Sequence, residues 1–283
     1  MTETTDIEIS EVSSRVTLAH YEEFYKLNAA AVALDNFIVV IDPMHYPSQG
    51  RKFREYLETK YNLPVKYLFI THYHGDHVFG MSAFKGVEVI GTECLSENMK
   101  ERIENHWTQE TLDEWKEKNP GLVDEIDAFE FWLPDTTFKD SYTIKDGDLR
   151  LELHRSGGHS GCSAFAYFPS EKILFAGDEI AAMEWPYISD ETGNPDDYFS
   201  ALEHMMTLEI DRVIPGHGPI VGKDHIEEYL IFIRKLKKLV KEAVDEDRQP
   251  ESIEVPDFYK PTVDWQIEKA LEFMHKFYSE KSE

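Results

Sequence analysis

Residues 71–77 read Thr-His-Tyr-His-Gly-Asp-His, which brings four side chains able to bind a metal, His72, His74, Asp76 and His77, into one short loop. Imidazole nitrogens and carboxylate oxygens suit zinc, and also iron or manganese. Four such groups in one loop cannot all face a single tetrahedral ion. The pattern therefore points to two ions and to further donors elsewhere. Three candidates stand in turn-like contexts at strand ends: His159 in Ser-Gly-Gly-His-Ser-Gly, Asp178 closing Lys172–Asp178 after a Gly, and His217 in Ile-Pro-Gly-His-Gly-Pro. The neighbouring glycines let backbone pass close to a metal.

Donors of this kind need rigid supports. Val65–Ile70 is β-branched and aromatic and reads as a buried strand leading into the loop; Val78 to Phe84 reads as the start of a helix. Phe37–Asp42 reads as another strand. Asp42 at its end is expected to orient a ligand histidine, the alternative being a turn former before Pro43. A helix is expected near Arg51–Tyr61. Strands are expected at Val87–Gly91, 149–154, 163–168, 172–177 and 212–214, with a helix near Asp196–Leu208. Ile226, Tyr229, Leu230, Ile233, Leu236, Val240 and Val244 recur at helical spacing over 224–245, where Asp224 and Glu227 have capping-box spacing. A last helix near Thr262–Tyr278 is expected to turn Trp265, Leu271, Met274 and Tyr278 inward.

With these motifs in order along 71–217, the chain resembles the metallo-β-lactamase-fold hydrolase superfamily. The matching residues are HxHxDH, a later His, an Asp after FAG and a His in PGHGP. The resemblance implies an α/β fold, a four-layer αββα sandwich with the site at one edge. It also implies a first metal site from His72, His74 and His159, a second from Asp76, His77 and His217, and Asp178 bridging them. The implied cofactors are two divalent ions, zinc first, with iron or manganese as alternatives. β-Lactamases of this fold carry Cys or Ser at the position of Asp178, so Asp178 favours a glyoxalase II or lactonase style of site. Lactonases of quorum signals carry Tyr where this chain has Ala181, which argues against that substrate.

The formal charge is −26, from 55 acidic against 29 basic residues. Such a surface repels a phosphate backbone, and no basic stripe interleaved with aromatics occurs, so nucleic acid is not an expected partner. No apolar run is long enough to span a membrane. The acidic start, Met1–Asp6, lacks the basic and apolar regions of a signal peptide, and two cysteines, Cys94 and Cys162, give no disulfide framework. A cytoplasmic setting follows as the expectation. Cys162 reads as a small buried residue.

A catalytic domain is expected over 1–247, with a linker and a C-terminal helix packed on the core over 248–283. Residues 92–133 interrupt the pattern as a helical insertion. Their aromatics would either wall the pocket as a lid or pack against the sandwich or a homodimer interface. Better candidates for the substrate pocket are Tyr73, Trp185 and Tyr187, with His45 a weaker one.

The chemistry expected is hydrolysis. Zinc lowers the pKa of bound water from near 16 to about 7, giving a hydroxide that attacks a carbonyl. Asp76 would orient it and pass a proton to the leaving group. The substrate would be a small molecule with an ester-like bond, a thioester or lactone first and a β-lactam behind. Alternatives are a mononuclear iron persulfide dioxygenase, a phosphodiesterase of the same fold, and a metal-dependent sensor without activity.

Overall fold

The computed structural model describes residues 5–23 and 25–281; residues 1–4 of the acidic N-terminal stretch lie outside them. Strands β1 (Glu8–Glu11), β2 (Val16–Tyr21), β3 (Leu27–Ala33) and β4 (Ile38–Ile41) precede helix α1 (Pro47–Tyr61) and strands β5 (Val65–Phe69) and β6 (Glu88–Thr92). The insertion supplies α2 (Glu93–Asn105), α3 (Gln109–Lys118) and α4 (Val123–Asp127). There follow β7 (Thr136–Phe138), β8 (Ser141–Asp146), β9 (Leu149–Arg155), β10 (Ala164–Phe168), β11 (Ile173–Ala181), α5 (Pro195–Thr207), β12 (Arg212–His217), α6 (Lys223–Asp245) and α7 (Gln266–Lys281).

The central strands are apolar on both faces, and alternate residues enter different cores. Val39, Ile41, Phe69, Phe168 and Phe175 meet in the core between the two leaves of the sheet. Ile38, Val40 and Leu68 face α1 and the insertion. Phe165, Leu174 and Ala176 face α5, α6 and α7. The order is therefore helices, sheet, sheet, helices, an αββα sandwich. The strand ladder runs β7-β6-β5-β4-β3-β12-β11-β10-β9-β8, and its leaves join where His217 pairs Leu27 across β12 and β3. The junction thus carries a metal-ligand candidate.

Several local expectations are corrected. Val78–Phe84 does not start an α-helix: residues Gly75–His77 and Phe79–Phe84 form 3-10 turns. The tighter winding suits a segment pressed against residues 43–44, where Gly80 N–H donates to Met44 O and a Cβ on Gly80 would lie 2.3 Å from Pro43 O. Helix α6 is capped at Gly222, with Asp224 in its first turn rather than at the cap. The last helix begins at Gln266, because Gln266 Oε1 accepts the Thr262 N–H at 2.9 Å and closes the preceding turn. Trp265 is consequently 48% exposed, not turned inward, while Leu271, Met274 and Tyr278 are buried. Strand β11 runs past Asp178 to Ala181, with register shifts either side of Gly177.

The insertion packs on the sandwich. Trp107, Trp115, Phe129 and Phe131 surround the Phe79 ring at centroid distances of 5.0–5.5 Å. No helix among the described residues is long and apolar enough to cross a membrane.

Candidate metal centre

Strand ends bring the seven donors together. β5 delivers the 72–77 loop, β11 carries Asp178, β12 ends on His217, and the turn after β9 presents His159. Two groups result, His72, His74, His159 and Asp178, and Asp76, His77 and His217, with donor atoms within 4.8 Å of one another in each. Nε2 of His159 lies 3.1 Å from Nδ1 of His74 and 3.5 Å from Asp178 Oδ2. Nε2 of His217 lies 3.4 Å from His77 Nε2 and 3.3 Å from both Asp76 Oδ2 and Asp178 Oδ2. Donors on a tetrahedral zinc stand about 3.4 Å apart, because the bonds are about 2.0–2.1 Å. The donor spacing therefore fits small divalent ions. His72 Nε2 is buried without any hydrogen-bond partner, which a metal bond would satisfy.

Each of the five imidazoles is fixed through its other nitrogen. His72 Nδ1 lies 3.0 Å from Thr71 Oγ1, whose hydroxyl donates to Asp42 Oδ2. His77 Nδ1 lies 2.8 Å from Asp42 Oδ2. His74 Nε2 lies 2.8 Å from Asp190 Oδ2, His159 Nδ1 3.1 Å from Tyr187 O, and His217 Nδ1 2.8 Å from Tyr25 O. Partners of this kind set the tautomer and aim the ring. Asp42 reaches two ligands because it sits in the left-handed region at φ 60°, beyond the end of β4. Behind His217, Asn28 Nδ2 donates to Pro215 O and Gly218 O and pins the turn.

Electrostatics follow from burial and proximity. Burial opposes charge on His217, but the Asp178 and Asp76 carboxylates override it and push the imidazole up to about 10. His77 is raised against its burial by Asp178, Asp76 and Asp42. Burial, then the charges of His77 and other imidazoles, lowers His72; burial takes His159 down to about 4. Asp178 stays well below the usual carboxylate range despite burial, held by the charges of His217 and His77. Protons on His77 and His217 thus occupy a region built to neutralise cations.

A cavity of about 360 Å³ opens on the donors, with Asp76, Trp185, Tyr187 and Trp265 in its wall. Trp185 and Tyr187 therefore line it. Tyr73 does not: its hydroxyl donates to Asp190 Oδ2, and it faces an adjacent cavity of about 440 Å³. His45 lies against Tyr46 and Phe79 and lines neither of these cavities. Cys162 is buried and outside the donor groups. Sequence reading missed Asp190, Thr71 and the carbonyls of Tyr187 and Tyr25. Asp190 stands in a loop without a motif, and a carbonyl carries no residue signature.

The family model of the metallo-beta-lactamase superfamily matches residues 26–217. The chain is 26% identical to the Beta-lactamase-like protein 2 homolog of Caenorhabditis elegans over 211 residues, covering 74% of this chain and 62% of that protein. It is 21% identical to the Linear primary-alkylsulfatase of a Pseudomonas species over 224 residues, 70% of this chain and 42% of the relative. With the Hydroxyacylglutathione hydrolase of Brucella anthropi it shares 26% identity over 153 residues, 53% of this chain and 46% of the relative. The chain thus spans between 42% and 62% of these relatives' lengths. Among solved structures, the metallo-beta-lactamase of Pontibacter korlensis superposes with a TM-score of 0.63 at 21% identity, covering 81% of this chain and 99% of that one; it shows the fold alone.

Proposed function

The chain belongs to the metallo-beta-lactamase superfamily, and we propose that it is a hydrolase which takes two divalent ions, zinc first, and cleaves a small acyl compound, a thioester or lactone. One observation carries this reading: seven donors, with all five imidazoles aimed by a second partner, stand together, and five of them, His74, Asp76, His159, Asp178 and His217, line the same cavity. Among the described residues no Lys or Arg lines that cavity, and Glu184 and Asp76 do. A sulfate or phosphate ester would therefore have the ions alone to meet its charge, whereas a neutral acyl group needs no cationic side chain.

Ions held at these donors would supply Lewis acidity and acidify water to a pKa of about 7. Asp178, within reach of both donor groups, is assigned as the shared carboxylate. Asp76 lines the cavity and is assigned to orient water and return its proton to the leaving thiolate or alkoxide. Water adds across the acyl bond, the carbon–sulfur or carbon–oxygen bond breaks, and an acid and a thiol or alcohol leave. Trp185 and Tyr187 hold the acyl group and keep bulk water out.

Elemental analysis of protein purified without chelator, followed by a panel of thioesters, lactones, β-lactams and phosphodiesters, tests the proposal. Two zinc ions per chain and thioester or lactone turnover that falls in Asp76→Asn with binding retained support it. One iron per chain with persulfide-dependent oxygen consumption would replace it with the dioxygenase.

A further inference from the structure

Two cavities share a wall at the metal centre. Among the described residues the first, open on the donors, has no Lys or Arg; the second shares His74, Gly75 and Tyr187 with it and contains Arg102 and Trp107 from the insertion. Arg102 is the one Lys or Arg among the described residues that lines either cavity. Its guanidinium lies 4.9 Å from the Tyr73 ring centroid and donates to Tyr73 Oη at 3.1 Å. The same nitrogen, Nη2, also donates to Glu191 Oε1 at 2.5 Å, and Nε lies 3.6 Å from Glu101 Oε2. The side chain of Arg102 is 20% exposed and that of Glu191 72% exposed. Arg102 is thus held by the Tyr73 ring and hydroxyl, while Glu191, which shares its Nη2, is an exposed carboxylate on a loop.

We propose that the second cavity receives the carboxylate of an anionic leaving group, that Arg102 anchors it, and that Glu191 occupies the anchor until substrate displaces it. The proposal rests on the hydrolase reading and adds to it: the substrate joins a neutral acyl part to a carboxylate-bearing alcohol or thiol. A carboxylate is the group indicated because one already fits the place. The exchange costs little, since Glu191 is exposed and regains its hydration when it leaves Arg102, whereas a ligand carboxylate in the cavity is shielded from water. The exchange replaces one carboxylate by another at Nη2. Asp190 is engaged by His74, Tyr73 and Thr192, and Glu101, 3.6 Å from Arg102 Nε, stays in place before and after exchange. The insertion would then set specificity through Arg102 rather than as a lid.

The test uses two thioethers that cannot be hydrolysed, 3-(butylthio)propanoate and 3-(butylthio)propan-1-ol, titrated calorimetrically into the zinc-loaded full chain. The carboxylate should bind at least ~10-fold tighter than the alcohol, as a hydrogen bond to a charged group allows. Arg102→Gln should remove most of that preference, Arg102→Lys should restore part of it, and Glu191→Ala should tighten the carboxylate about two- to fivefold. Equal affinities in the unmodified protein would overturn the proposal. So would a preference that survives Arg102→Gln, which would place the carboxylate on the ions, or a Glu191→Ala variant that binds it more weakly. The matching butyryl thioesters separate the two readings. Discrimination by the thioethers without hydrolysis of either thioester would sink the hydrolase and leave the anchor, whereas hydrolysis without discrimination would sink the anchor alone.

Discussion

A Cβ added to Gly216 would lie 1.9 Å from Oδ1 of Asp178. The backbone of β12 passes so close to the carboxylate assigned to both ions that no side chain fits between them. Gly216→Ala should therefore displace Asp178 and weaken metal binding at least ~10-fold, the scale on which disturbed metal-ligand support acts. Competition with a chromophoric chelator reads the affinity, and far-ultraviolet circular dichroism checks that the fold remains. Unchanged affinity in a folded variant would remove Asp178 from the ligand set.

Asp190 supports His74 as Asp42 supports His77, with 2.8 Å contacts in both cases. Asp190→Asn should weaken metal binding about 10- to 100-fold. Tyr73→Phe should do less, since it leaves the Asp190–His74 contact in place and removes only the hydroxyl between Arg102 and Asp190. The same chelator titration orders the variants. Equal losses would mean that Asp190 cannot hold the ring without the Tyr73 hydroxyl.

The contrast between Asp190 and Asp76 shows what was legible in the sequence. Asp76 is spaced with His72, His74 and His77 in one loop, and strand-end contexts picked out His159, Asp178 and His217. Short apolar runs rich in β-branched and aromatic residues likewise revealed most strands. Asp190 joins the site only because the chain after β11 folds back over His74, and nothing within that loop encodes the return. Trp265 was misjudged for a related reason. Helical spacing put it on an inward face, but the Gln266 side chain closes the turn before it and starts the helix one residue later.

Asp196 links three helices. Its oxygens accept from Lys237 at 2.7 Å, Lys281 at 2.8 Å and Tyr278 at 2.9 Å, tying α5 to α6 and α7. Burial raises its pKa, but the two lysines and the hydroxyl outweigh that and hold it at about 2. A depressed carboxylate contributes stability that is fully present above its ordinary pKa and lost as pH falls through the folded value. The urea midpoint should therefore fall from about pH 4 to pH 2, and Asp196→Asn should flatten that part of the profile. An identical slope in the variant would assign the acid loss to other groups.

Trp265 lines the cavity that opens on the metal donors, its ring edge-on to Tyr187 at 6.3 Å between centroids. An indole left 48% exposed beside a cavity has apolar surface that a ligand can cover. Each methylene removed from water contributes about 0.8 kcal/mol, close to a fourfold change in affinity. Short acyl groups would end within the cavity, and longer ones would reach the indole. Trp265→Ala should therefore leave KM for an acetyl thioester within about twofold and raise KM for a hexanoyl thioester about 5- to 10-fold, with kcat little altered. Steady-state kinetics over an acyl-length series checks this. A uniform rise at every length would mean that Trp265 holds the cavity wall in shape, and no rise at any length would mean that the acyl chain leaves by another side of the mouth.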